Sequence, residues 1–125
     1  MSVTETAAEY IQPSNEHKLQ VMVVEYIKVA GKPHVRAIAI TNEGRRSYNV
    51  GMRMKRQGLI AGAADLLIAL PGGRCAWLEM KTLKGRQSAE QKEFQAWCLA
   101  IGHPYAVARS FDEATKILRL WGALK

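Results

Sequence analysis

Two acids and one amine in the middle of this sequence have the spacing of a hydrolytic site. Asp65 is followed, after thirteen residues, by Glu79-Met80-Lys81. The intervening chain reads as a strand over Asp65 to Leu70, a tight Pro71-Gly72-Gly73-Arg74 turn and a second strand over Cys75 to Thr82, an antiparallel hairpin. Residues two apart in a strand share a face, so Glu79 and Lys81 point the same way and the turn can bring Asp65 alongside them. Two carboxylates can hold a hard cation, which offsets the charge that builds on a phosphoryl group and lowers the pKa of a bound water. An amine beside that water orients it and stabilises its hydroxide form. The chemistry these residue types specify is metal-assisted phosphodiester hydrolysis.

The charge distribution agrees with a polyanionic substrate. The formal charge is +7 at pH 7, and the stretch from Gly44 to Arg86 accounts for all of it. That stretch holds nine basic residues, Arg45, Arg46, Arg53, Lys55, Arg56, Arg74, Lys81, Lys84 and Arg86, against two acids, Asp65 and Glu79. Elsewhere nine bases cancel nine acids. Two isolated carboxylates in a phosphate-attracting field read as cation ligands, and Arg53, Lys55, Arg56, Lys84 and Arg86, flanking them, read as phosphate contacts, with Arg45 and Arg46 as further DNA-binding candidates. The plainer alternative is a solvated basic face with two incidental acids.

The 125 residues suit one domain, over 14–125, behind a loose leader at 1–13 that has no periodicity. No apolar run is long enough to span a bilayer and no signal-peptide pattern opens the chain, so the expected location is the cytoplasm. Cys75 and Cys98 lack metal-site spacing and read as two buried thiols. His17, His34 and His103 are scattered without ligand spacing.

The elements around the hairpin follow from periodicity and caps. From Glu16 to about Ala30, Leu19, Met22, Val23, Tyr26, Ile27 and Ala30 form one helical stripe, with Glu16 on its face. His34 to Thr41 alternates as a strand, and Asn42-Glu43-Gly44 turns it into a second strand through Tyr48. Gly51 to Gln57 is a short basic helix stopped by Gly58. Ser88-x-x-Gln91 is a capping box opening a helix to Ile101 that turns Phe94, Trp97, Cys98 and Ile101 inward. His103 to Arg109 is a further strand, and Ser110-x-x-Glu113 opens a last helix carrying Ala114, Ile117, Leu118 and Trp121 on its core face. The order α-β-β-α-β-β-α-β-α predicts an α/β fold, a mixed central sheet flanked by helices. Trp77, Trp97 and Trp121 fall on predicted core faces.

This arrangement resembles the PD-(D/E)XK, or restriction-endonuclease-like, superfamily, and its VRR-NUC branch in particular. The likeness runs from about Glu16 to Gly122 and rests on Glu16-His17-x-x-Gln20, Asn42-x-Gly44, Lys55-x-x-Gly58, Gly62-x-x-Asp65, Leu78-Glu79-Met80-Lys81, Gly85-x-x-Ser88-x-x-Gln91 and Ser110-x-Asp112-Glu113-Ala114. It implies that Asp65, Glu79 and the Met80 backbone carbonyl bind Mg²⁺ or Mn²⁺, that Glu16 completes the metal site, that Lys81 assists the water and that Gln91 supports the water or the phosphate. It further implies a small endonuclease of phage or bacterial type that pairs as a homodimer and cuts branched DNA such as four-way junctions. Ala64 stands where the family has a proline before the acid, a change that alters backbone restriction and removes no ligand.

Each of these readings has a plainer counterpart. Glu16 is also a first-turn carboxylate favoured by the helix dipole, and Gln91 is also the far half of the Ser88 capping box. A Glu79 to Lys81 ion pair on an edge strand would make the chain a basic nucleic-acid-binding module that cuts nothing.

Overall fold

The computed structural model describes residues 15–40 and 48–125. Arg45, Arg46, the Asn42-x-Gly44 turn and all but the last residue of the strand expected after it lie outside those residues.

The first helix, α1 (Glu16–Ala30), begins where Asn15 accepts the Lys18 N–H at 2.8 Å, and it buries Leu19, Val23 and Ile27 as one stripe. Strand β1 (Arg36–Ala39) follows, and then helix α2 (Tyr48–Arg56), with Gly58 at φ 109° behind it. Tyr48, expected at the end of a strand, is instead the first residue of this helix, which runs three residues further toward the N-terminus than its apolar pattern indicates. Strand β2 (Leu66–Ala69), a short 3-10 turn (Pro71–Gly73) and strand β3 (Cys75–Met80) form the expected hairpin. Gly72 and Gly73 take positive φ in that turn, a conformation a side chain would resist.

Helix α3 (Ala89–Ala100) carries the chain from β3 to strand β4 (Tyr105–Ala108), and helix α4 (Phe111–Leu120) closes the fold. The sheet order is β1-β2-β3-β4. β1 pairs antiparallel with β2 and β2 antiparallel with β3, while β3 and β4 run parallel from Trp77↔Tyr105 to Met80↔Ala108. A parallel pair needs a crossover, and α3 is that crossover. The mixed sheet flanked by helices is the architecture the element order predicts.

The two faces of the sheet are packed differently. α1 and α4 cover one with Leu19, Val23, Leu66, Ile68, Leu78, Met80 and Leu118, all fully buried or nearly so. The other carries a small cluster of Ala63, Ala64, Phe94 and Cys98 under α3. Trp97 and Ile101, expected on the core face of α3, are 44% and 49% exposed. They flank the Phe94–Cys98 stripe, and the narrow cluster beneath α3 reaches only that stripe. Cys75 is half-buried and Cys98 buried, and both thiols are free.

Candidate active site

The sheet sets the two acids opposite one another. The β2–β3 register pairs Leu66 with Leu78, so one further step places Asp65 across from Glu79. Asp65 Oδ2 accepts the Met80 N–H at 2.6 Å, a charge-assisted bond that pins the start of β2 to the end of β3. The loop into Asp65 approaches α3 closely. At Gly62, φ is +82° and an added Cβ would run into the Glu90 carbonyl and the Gln91 nitrogen, so only glycine fits in Gly62-x-x-Asp65.

Glu79 lies in the middle of this arrangement at 1% exposure. Its Oε1 accepts the Tyr105 hydroxyl at 2.7 Å, and its Oε2 is buried with no hydrogen-bond partner. Burial pushes the Glu79 carboxyl above the ordinary carboxylate range. The Tyr105 hydrogen bond, the Lys81 charge and Gln87 oppose that rise, and the Glu16 charge adds to it. A partnerless oxygen on a buried acid is costly in an apolar setting and calls for a physical explanation.

Lys81, one residue beyond β3, is 7% exposed, and its Nζ lies 3.7 Å from Glu16 Oε1. α1 therefore delivers Glu16 to this site, where it faces the amine. Gln91 is present as the capping box predicts: its Oε1 accepts the Ser88 N–H at 2.8 Å while Ser88 Oγ accepts the Gln91 N–H at 3.1 Å. The carbonyl end of Gln91 thus holds the helix start. Arg53, Lys55, Arg56, Lys84 and Arg86 are all exposed, as phosphate-binding side chains need to be.

The residues fit a cation in part. Asp65 and Glu79 are hard oxygen donors on facing strand ends, and Glu79 Oε2 has no partner in the chain. Among the described residues, however, no three His, Cys, Asp or Glu side chains come together as a ready ligand set. The three acids expected there are turned to donors of the chain itself: Asp65 to Met80, Glu79 to Tyr105 and Glu16 to Lys81.

Two residues beside Glu79 and one that holds the loop after Lys81 escape sequence reasoning. Tyr105 reaches Glu79 only because β4 lies parallel to β3, a pairing with no local signal. Gln87 donates to the Tyr105 oxygen at 3.1 Å and to Gln95 Oε1 at 3.0 Å. Arg109 Nη1 donates to the carbonyls of Thr82 and Gly85, fixing the loop that carries Lys84. A groove of about 430 Å³ lined by Met54, Leu59, Trp77, Phe94 and Trp97 contains none of the acids. No described helix is long and apolar enough to cross a membrane.

Solved structures with this architecture exist. One, described as a VRR_NUC domain, is 21% identical, has a TM-score of 0.60 and matches 83% of this chain and 94% of its own. Another, a VRR_NUC domain protein, is 20% identical with a TM-score of 0.71, over 86% of this chain and 87% of its own. No protein-family model matches the sequence and no curated protein matches it. The chain has the fold of these VRR_NUC domain structures.

Proposed function

We propose that this chain is a divalent-metal-dependent deoxyribonuclease of the VRR-NUC kind. The observation that carries the reading is Glu79: a carboxylate 1% exposed, one oxygen without a partner, on a strand end facing Asp65 and two residues from Lys81. Asp65, Glu79 and the Met80 carbonyl would hold Mg²⁺ or Mn²⁺. The cation supplies Lewis acidity at the phosphoryl oxygens and a more acidic bound water.

The chain's own residues perform the rest. Lys81 directs its N–H donors at the attacking water and favours the hydroxide, while Glu16 holds the Lys81 ammonium in place. The Asp65 bond to Met80 keeps the two acid-bearing strand ends together. Lys84 and Arg86, on and just after the loop tied down by Arg109, hold the phosphate backbone, joined by Arg53, Lys55 and Arg56 from α2. The preference for branched DNA and the homodimer rest on the sequence resemblance; two copies would place one site on each strand of a symmetric junction. A cytoplasmic setting suits the two free thiols.

A second reading has one observation in its favour. Each acid already has a donor within the chain, which is what a structural polar network in a basic DNA-binding module requires. The two separate on one experiment: purified protein with a labelled four-way junction and a matched linear duplex, in Mg²⁺, Mn²⁺ or EDTA, beside Glu79→Ala. Metal-dependent cutting lost in the variant supports the nuclease. Salt-sensitive binding that is indifferent to metal and never followed by cleavage supports the module.

A further inference from the structure

Resting on the nuclease reading, the geometry points to Tyr105 as a positioning residue: its hydroxyl clamps Glu79 Oε1 and so presents Oε2 to the divalent cation. A glutamate has two equivalent oxygens and a soft terminal torsion, and a buried one without a fixed partner can offer either oxygen in several directions. Here the choice is made by a chain of donors. Gln95 Oε1 accepts one N–H of the Gln87 amide at 3.0 Å, and the Tyr105 oxygen accepts from the same amide at 3.1 Å. The Tyr105 O–H then donates to Glu79 Oε1 at 2.7 Å. Every link has a definite direction, since Glu79 can only accept when ionised and Tyr105 has a single proton to give.

The clamp is rigid because each end is built into a packed element. The Tyr105 ring lies 6.2 Å from that of Phe94, and its strand is paired to β3 at Trp77. A phenol keeps its proton at neutral pH, and the 2.7 Å contact directs that proton at Glu79 Oε1, so Tyr105 is the donor. Gln87 follows directly after Arg86, which places the clamp next to the basic loop. Groups that hydrogen-bond a ligating carboxylate typically change metal affinity about 10- to 100-fold when removed.

The test uses Mn²⁺ as the probe, with its affinity for the full chain read by electron paramagnetic resonance, and thermal unfolding of the metal-free protein measured alongside. We expect Tyr105→Phe, which keeps the ring, to weaken Mn²⁺ binding by roughly 10-fold or more. Gln87→Leu, which leaves the tyrosine in place but unaimed, weakens it by a smaller factor and carries the test if Tyr105→Phe does not fold. A lowered unfolding temperature with Mn²⁺ affinity within twofold of wild type, in whichever variant folds, overturns the clamp and leaves the nuclease reading intact. Wild-type protein that binds no Mn²⁺ sinks the nuclease reading itself.

Discussion

The two faces of the sheet solve opposite problems. On the α1 and α4 side, fourteen of the described residues form one buried apolar cluster, from Leu19 to Leu124. On the α3 side the buried apolar cluster among the described residues is just Ala63, Ala64, Phe94 and Cys98, and a buried acid, a tyrosine and two glutamines occupy the neighbouring space. Burying apolar surface stabilises, while burying a carboxylate with an unpartnered oxygen costs stability. The lesson is a division of labour: one face holds the fold together so that the other can carry a destabilising group.

Substitutions on the two faces should therefore move different observables. The largest effect is on the proposed chemistry: if the chain is a metal-dependent nuclease, Glu79→Gln, with almost the same shape, should lower DNA cleavage by roughly a thousandfold, the several kcal/mol a cation would contribute to the transition state. Residual cleavage within tenfold of wild type would remove Glu79 from the reaction. Next, Leu118→Ala on the apolar face should destabilise the protein by about 3 kcal/mol in denaturant titrations and leave Mn²⁺ affinity unchanged. Coupled loss of Mn²⁺ binding in the folded variant would break the separation between faces.

Gly62→Ala tests the seam between the α3 face and the acid. The new methyl has no room against Glu90 and Gln91 and the backbone has positive φ, so about 2 kcal/mol of stability should be lost along with some cleavage activity, measured on the same sample. The smallest effect has the opposite sign: Glu79→Gln should raise the stability of the metal-free protein by about 1 kcal/mol at neutral pH, because the buried charge is gone. A less stable Glu79→Gln would mean that Lys81 and Tyr105 already compensate the carboxylate in full.

Much of this division is written locally. Asn15, Ser88 and Ser110 each accept a backbone N–H at a helix start, so α1, α3 and α4 begin where their cap residues place them. The β2–β3 hairpin and its pairing of Asp65 with Glu79 follow from two apolar runs and a glycine turn. Tyr48 shows the limit: a polar stretch before Gly51 has no stripe, and the α2 start is invisible to periodicity. Trp97 shows another, since a helical stripe gives direction without giving the width of what it packs on. Tyr105 is the clearest case, because the residue it serves is 26 positions away across a helix.

That separation also bears on how the site comes together as the chain folds. The Asp65–Met80 link closes a loop of 15 residues and the Tyr105–Glu79 link one of 26, a difference in closure entropy of only about 0.5 kcal/mol. Chain length hardly ranks the two events. Topology ranks them instead: the hairpin needs only its own turn, whereas pairing β4 beside β3 needs the α3 crossover in place. The expected order is that the acids meet as neighbours first and are aimed afterwards.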